Sequence, residues 1–107
     1  MVHLVDTVEV EVDRVDEYLG ALRTVGIPVM TEAGASFVSC RTTSRHLGEN
    51  VHIQIVWGFE DHVRWNEIRR NLVLDLRYHQ YGERTAALRT GGTRRFYSLV
   101  DLDAQTV

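Results

Sequence analysis

The sequence has no lysine, and all twelve of its basic residues are arginine. A lysine amine forms Schiff bases with carbonyl substrates and holds pyridoxal phosphate covalently, so both kinds of chemistry are excluded. Cysteine occurs once, at Cys40, so no internal disulfide is possible and a reducing compartment is expected. No glycine-rich loop precedes a helix, since Gly91 and Gly92 precede a predicted strand, and we expect no bound nucleotide.

Long apolar runs and concentrated positive charge are missing as well. No stretch approaches the roughly 18 apolar residues that cross a bilayer. Residues 1–6 lack the basic flank and apolar centre of a signal peptide, so we expect a cytoplasmic protein with no membrane contact. The net charge is −3 and the arginines are scattered, which argues against nucleic acid as a partner.

What is present is the composition of an ordinary globular protein. The chain has 107 residues, of which 44% are hydrophobic and 25% are charged. That length accommodates one compact domain, which we place over residues 1–107 with 101–107 as a loose C-terminal tail.

Alternation and helical spacing predict the element order β-α-β-β-α-β. The expected segments are a strand (3–11), a helix capped by Asp13 and ended by Gly26, a helical turn (27–33) closed by Gly34, a strand (35–43), a hairpin connection (44–49), a strand (51–57), a long helix that reaches Leu88 and, after a break at 90–93, a last strand (94–100). This order is typical of the ferredoxin-like α+β fold, an antiparallel sheet covered by helices on one face.

The long helix carries a stripe at steps of three or four residues, which predicts one face turned toward the sheet. The stripe consists of Trp65, Ile68, Leu72, Leu76 and His79. In the preceding strand, Ile53 and Ile55 lie on one side while Val56 lies on the other, so both faces of the sheet need cover. A second copy of the chain is the simplest cover for the face without helices, and we expect a homodimer.

The strand before the long helix ends in tryptophan, and an aromatic and acidic turn and an arginine-bearing helix follow it. The residues concerned are the segment from Asn50 to Asp61, then Arg64, Arg69, Arg70, Asp75 and Tyr78. In this pattern the chain resembles the dimeric α+β barrel superfamily and, within it, the NIPSNAP-like proteins. The resemblance covers residues 2–100 in element order and about 50–81 in residue detail.

The resemblance implies a homodimer whose two sheets form a barrel, with a ligand cleft between the sheet and the helices of each subunit. Members of that superfamily include cofactor-independent monooxygenases of quinols, haem-degrading monooxygenases, polyketide cyclases and lactone isomerases. NIPSNAP-like members have no single reaction attached to them. The resemblance therefore narrows the scaffold and leaves the chemistry open.

Asp75 and His79 are four residues apart, so on one helix their side chains would be neighbours. A carboxylate beside an imidazole fixes its tautomer and raises its basicity, which suits a general base. We predict this pair as catalytic, and the alternative is a surface ion pair or a hydrogen-bonded core histidine.

Five further residues are candidates for substrate binding: Trp57, Trp65, Tyr18, His52 and Gln54. The two indoles could stack on an aromatic substrate or could simply be core or interface residues. Tyr18 could donate a hydrogen bond to an oxyanion. His52 and Gln54 share one side of their strand, and alternation does not decide whether that side faces the helices or a partner subunit.

We expect neither a metal ion nor an organic cofactor, because no two histidines share a helix turn and Cys40 has no second cysteine. The preferred hypothesis is a cofactor-independent isomerase, cyclase or monooxygenase acting on a hydrophobic, aromatic or polyketide-like small molecule. A non-catalytic dimeric binding or interaction protein is the alternative. Haem handling ranks third, since haem-degrading relatives use an asparagine on the first strand, where this chain reads His3, Val5, Thr7 and Glu9.

Overall fold

The structure is a computed structural model that describes residues 1–45 and 49–103. Within these residues, four strands form one antiparallel sheet of order β2-β3-β1-β4. The elements are β1 (Val2–Glu11), α1 (Val15–Ala21), α2 (Ile27–Ala33), β2 (Ser36–Thr42), β3 (Asn50–Phe59), α3 (His62–Val73), α4 (Leu76–Ala86) and β4 (Arg89–Ser98). The predicted ferredoxin-like α+β fold is confirmed.

The core lies between the helices and one face of the sheet, which we call the inner face. Alternate residues of the two central strands point to it and are almost completely buried, as the period-two pattern predicts. They meet apolar side chains of the helices, and the principal members are Leu4, Val8, Val10, Val51, Ile53, Ile55, Val15, Val29, Ile68 and Leu72. The opposite side of the sheet, which we call the outer face, carries half-buried and exposed residues.

The first helical region differs from the prediction at its expected N-cap, Asp13, and at its expected end, Gly26. Asp13 lies inside a short 3₁₀ turn and caps nothing, because the α-helix begins after Arg14 without a side-chain cap. Gly26 does not end the helix either: a π-helical turn, Leu22–Gly26, joins α1 to α2 without a break. Gly34 does end α2, and its φ of 117° is a conformation that side chains with a Cβ rarely adopt.

The predicted long helix is in fact two helices, so that prediction is wrong. α3 ends at Val73, and Asp75 begins α4 by accepting a hydrogen bond from the backbone N–H of Arg77 at 2.9 Å. An aspartate in mid-helix competes in this way for backbone donors and favours a new helix start. No helix among the described residues is long and apolar enough to cross a membrane.

The break divides the predicted stripe. Ile68 and Leu72 on α3 are buried in the core, whereas Leu76 and His79 on α4 are exposed. Helical spacing holds only within one continuous helix, so residues beyond the break no longer share a face with those before it. α4 instead presents Tyr78, Tyr81 and Thr85 toward the body of the protein.

The last strand begins five residues earlier than predicted, at Arg89, and runs through Gly91 and Gly92. The prediction that these glycines break the chain is therefore wrong. A Cβ at Gly92 would lie 3.0 Å from the carbonyl oxygen of Thr7, so glycine lets β4 approach β1 closely here. The predicted hairpin connection and C-terminal tail fall partly on residues 46–48 and 104–107, which lie outside the described residues.

Candidate functional site

An open cleft of about 770 Å³ lies between the inner face of the sheet and α4. Its apolar lining includes Val8, Met30, Ile55 and Trp57, and its polar lining includes Asp6, Tyr18, Tyr78, His79, Tyr81, Arg89 and Arg94. The resemblance to NIPSNAP-like proteins implied a space of this kind between the sheet and the helices. Because the second helical region is broken, α4 rather than α3 covers the cleft, together with Tyr18 of α1 and Met30 of α2. α3 packs beside α4 against the core.

An ion pair lies on the inner face where two strands meet. Asp6 of β1 and Arg94 of β4 are direct cross-strand partners, and the guanidinium donates two hydrogen bonds to the carboxylate, at 2.7 and 3.1 Å. Partial burial alone would lower the pKa of Arg94, but the hydrogen bonds and charge of Asp6 outweigh it and raise that pKa above its usual range. Arg94 therefore stays charged and fixes the position of Asp6 in the cleft.

Two phenols, the buried Tyr18 and the half-buried Tyr81, lie next to this pair. Burial raises the pKa of Tyr81 far above its ordinary value, and the neighbouring Tyr18 and Asp6 raise it further. Burial also raises the pKa of Tyr18, although the nearby positive charge of Arg89 acts in the opposite direction. Both phenols are therefore neutral at physiological pH, and each keeps an O–H group that can donate a hydrogen bond.

Gly26 fixes where Tyr81 lies. A Cβ at Gly26 would come within 2.8 to 2.9 Å of the Tyr81 ring and hydroxyl, closer than real side chains approach each other. The bare backbone of the π-helical turn thus provides the space into which the phenol packs. π-Helical turns occur frequently at functional sites, and here the turn positions a cleft residue.

An aromatic cluster lies at the end of the sheet beside Arg94. Trp65 of α3 stacks on Phe59 with ring centroids 5.4 Å apart and meets Phe96 edge-on at 5.6 Å. The guanidinium of Arg94 lies 5.9 Å from the Trp65 ring, within the range of a cation–π contact. Trp65 therefore packs in this cluster and supports Arg94 rather than lining the cleft itself.

Trp57 lies on the floor of the cleft and is only 2% exposed. Its ring meets Phe37 edge-on at 5.7 Å. Among the described residues, its indole nitrogen is the one buried side-chain nitrogen or oxygen atom without a hydrogen-bond partner. Such atoms are uncommon in native proteins, so the one on this floor is a feature that the chain's own contacts do not account for.

The structure does not bring Asp75 and His79 together as predicted. The carboxylate of Asp75 instead receives hydrogen bonds from the Arg77 guanidinium at 3.1 and 2.8 Å, which hold the pKa of Asp75 below its usual value. Nε2 of His79 lies 2.8 Å from the carbonyl oxygen of Val73. His79 still lines the cleft, but the break before α4 gives it a backbone carbonyl as its partner.

His52 and Gln54 lie on the outer face, away from the cleft. They alternate with the buried residues of β3, and Oε1 of Gln54 accepts a hydrogen bond from Nε of Arg41 at 2.5 Å. A single strand shows which residues share a side but does not show which side the helices cover. That ambiguity in the sequence is resolved only by the packing of the sheet.

Arg89 and Arg94 are cleft residues that were not among the predicted site residues. One signal was present in the sequence, because Asp6 interrupts the apolar side of the first strand. A carboxylate on a core-facing side needs a cationic or hydrogen-bonding partner, and Arg94 is that partner. Its identity depends on strand order and register, which a single sequence does not reveal.

A cofactor would have few ligands in the described part of the chain. No group of three or more histidine, cysteine, aspartate or glutamate side chains in residues 1–45 and 49–103 is arranged to hold a metal ion. His79 is the histidine of the cleft, and its Nε2 is already engaged by the Val73 carbonyl. A haem iron bound through Nε2 would have to displace that hydrogen bond.

Solved structures of NIPSNAP proteins share this fold. An uncharacterized NIPSNAP domain protein from Burkholderia xenovorans superposes with a TM-score of 0.79 at 18% identity, covering 95% of this chain and 97% of that one. A NIPSNAP family protein from Agrobacterium tumefaciens gives 0.73 at 20% identity, with 94% and 95% covered. An antibiotic biosynthesis monooxygenase gives 0.65 at 10% identity, with 94% and 100% covered.

These similarities show the fold, because identities of 10 to 20% carry no activity from one protein to another. The chain therefore has the ferredoxin-like α+β fold of NIPSNAP domain proteins, and the predicted resemblance is confirmed at the level of architecture. No protein-family model and no curated protein matches the chain.

Proposed function

We propose that this protein binds a hydrophobic, aromatic or polyketide-like small molecule in the cleft under α4. The observation that supports this proposal is an open cleft of about 770 Å³, in which an apolar floor faces a small set of converging polar groups. Small-molecule sites usually measure about 300 to 1,000 Å³ and have this combination of apolar walls and a few placed donors.

The lining defines how a ligand would lie. Ile55 and Trp57 are each only 2% exposed, so they form part of an apolar floor over which the body of a ligand would lie rather than an open stacking surface. The neutral phenols of Tyr18 and Tyr81 would donate hydrogen bonds to a carbonyl or phenolic oxygen of that ring system. Donors held in place by packing strengthen as negative charge develops on such an oxygen, so the same cleft would favour an enolate.

The binding test uses phenylnaphthylamine, a neutral aromatic probe that fluoresces in apolar sites. Gly82 lines the cleft, and a Cβ there meets nothing within 4 Å, so Gly82→Trp should fill the cleft without a backbone clash. Gly20 of α1 is equally open but lies outside the cleft, which makes Gly20→Trp the matched control. We expect wild type and Gly20→Trp to bind the probe, and Gly82→Trp to lose at least about tenfold in affinity. Equal binding by all three proteins would contradict the assignment.

A second candidate function is a cofactor-independent enzyme in which His79 moves a proton. The Val73 carbonyl only accepts hydrogen bonds, so in the neutral imidazole the proton lies on Nε2 and the lone pair lies on Nδ1. Nδ1 is thereby prepared to act as a base toward a ligand in the cleft. Isomerisation, cyclisation and monooxygenation through a substrate carbanion all begin with such a proton removal.

Proton exchange tests this second candidate without knowledge of the natural substrate. β-Tetralone is an aromatic ketone whose α-protons exchange with deuterium in D₂O once a base removes them, and NMR follows the loss of their signal. We expect wild-type protein to accelerate the exchange and His79→Ala to abolish the acceleration. If His79→Ala exchanges the probe as fast as wild type does, His79 is not the base and binding alone remains.

We further propose that a second copy of the chain covers the outer face. Val5 and Val56 are cross-strand partners there and are half-buried, while Val38 and Tyr97 are 47% and 50% exposed. The same face carries charges of both signs, among them Glu9 and Arg95, so two copies related by a two-fold axis can pair opposite charges. In such a dimer, His52 and Gln54 would lie at the interface.

A further inference from the structure

A β-bulge directs Arg89 into the cleft. In the ladder between β1 and β4, Glu9 pairs with Gly91 but Val10 pairs with Arg89, so Thr90 is an extra residue. Side chains alternate along a strand, and without the extra residue Arg89 would fall on the outer face. With it, Arg89 shares the inner side with the buried Val10. Bulges of this kind re-aim side chains and are frequent near functional sites.

The bulge is stabilised by its own contacts. The hydroxyl of Thr90 donates a hydrogen bond to the carbonyl oxygen of Glu9 at 3.3 Å, and Nδ2 of Asn50 lies 3.5 Å from that hydroxyl. Asn50 also donates to the Glu9 carboxylate at 2.8 Å. Residues of three neighbouring strands therefore hold the extra residue in place, and the orientation of Arg89 is built into the sheet.

The charges of the cleft are unevenly compensated. Asp6 and Arg94 neutralise each other in a bidentate pair. Arg89 has no ion pair within the described part of the chain, and the remaining cleft carboxylate, Glu83, is on the exposed side of α4 and is not paired with it. Arg89 is itself exposed, but its positive charge acts on the buried Tyr18, where it partly offsets the rise in pKa that burial causes.

We infer that the cleft selects ligands that carry an acidic group on their aromatic or apolar body, and that Arg89 is the counter-ion of that group. This inference rests on the proposed binding function and names the ligand class that the function takes. A carboxylate or sulfonate is the natural partner for an uncompensated guanidinium beside neutral phenol donors. The apolar body would lie on Ile55 and Trp57 while the acid group points toward the bulge.

Two dyes that differ by a single sulfonate group provide the test. Anilinonaphthalene sulfonate and phenylnaphthylamine share one aromatic skeleton, and only the first carries an anion. For wild type we expect the anionic dye to bind about tenfold more tightly than the neutral dye, with a preference that shrinks as salt is added. Arg89→Gln should bind the two dyes about equally while keeping its affinity for the neutral dye.

Two further variants separate this effect from general surface charge. Arg69 of α3 is exposed and does not line the cleft, so Arg69→Gln removes the same charge elsewhere and should keep the preference. Asp6→Asn releases Arg94 from its partner and should strengthen the preference for the anion. Equal binding of both dyes by wild type, or a preference that Arg89→Gln retains, overturns the inference and leaves the cleft as a binding site. Failure of both dyes to bind overturns the proposed function as well.

Discussion

Asp6 and Arg94 lie directly opposite each other on neighbouring strands and are joined by two hydrogen bonds of 2.7 and 3.1 Å on the face that the helices cover. The side chain of Asp6 is 16% exposed, whereas that of Arg94 is 43% exposed. The pair thus has its acidic end in the protein and its basic end toward the cleft and Trp65. This ion pair therefore links a strand in the core of the sheet to the candidate site.

Asp6→Ala is expected to lower the free energy of unfolding by about 1 to 3 kcal/mol, because a half-buried charge-assisted hydrogen-bond pair is lost. Urea unfolding of wild type, Asp6→Ala, Arg94→Ala and the double variant measures this effect. Since the two residues act on each other, the double variant should be less destabilised than the sum of the single variants. Fully additive effects would show that the contact contributes nothing.

Gly26→Ala is expected to weaken binding of the neutral dye by about tenfold, because the new methyl group must displace Tyr81 from its place in the cleft. Gly20→Ala is the matched control, since a Cβ at Gly20 meets nothing within 4 Å. That control should bind normally and gain up to about 1 kcal/mol in stability from the better helix propensity of alanine. Unchanged dye binding by Gly26→Ala would mean that Tyr81 does not contact the ligand.

The fold follows from patterns that are local in sequence. Val51, Ile53 and Ile55 alternate as a strand must, and Gly34 supplies the left-handed residue that ends α2. The prediction fails where helical spacing and helix capping compete. Asp75 is compatible with the helical stripe, but its carboxylate caps a new helix. The spacing of apolar residues at three or four positions continues across such a break and does not reveal it.

The candidate site was harder to predict because it depends on pairings that are distant in sequence. Asp6 and Arg94 are 88 residues apart, and only the register of β1 against β4 makes them partners. Arg89 faces the cleft because of a bulge of one residue, and the sequence pattern of β4 does not predict that bulge. By contrast Tyr18, Trp57 and His79 were predicted from side-chain chemistry and do line the cleft, although their roles stay predictions.

Asp75 gives a pH-dependent prediction for the break between α3 and α4. Hydrogen bonds from Arg77 hold the pKa of Asp75 below its ordinary value of 3.8. A lowered pKa in the folded state means that the ionised carboxylate stabilises the fold above that ordinary value, and that this contribution disappears as the pH falls through the folded-state pKa. The difference in unfolding midpoint between wild type and Asp75→Asn should therefore be constant near neutral pH and should become smaller in acid. A difference that widens on acidification would contradict the sign of the shift.

The outer face yields the last prediction, which concerns assembly. If two copies pack there, sedimentation should give twice the 12.3 kDa mass of the chain. Val56→Glu should give monomers, because the substitution buries an unpaired carboxylate at the centre of the interface. Leu74→Glu adds the same charge at an apolar residue that is 87% exposed at the junction of α3 and α4, and it should leave the dimer intact. A monomeric wild type would contradict the proposal directly. Dissociation by Leu74→Glu but not by Val56→Glu would place the contact between copies on the helical side, because only the residue at the true interface responds to a buried charge.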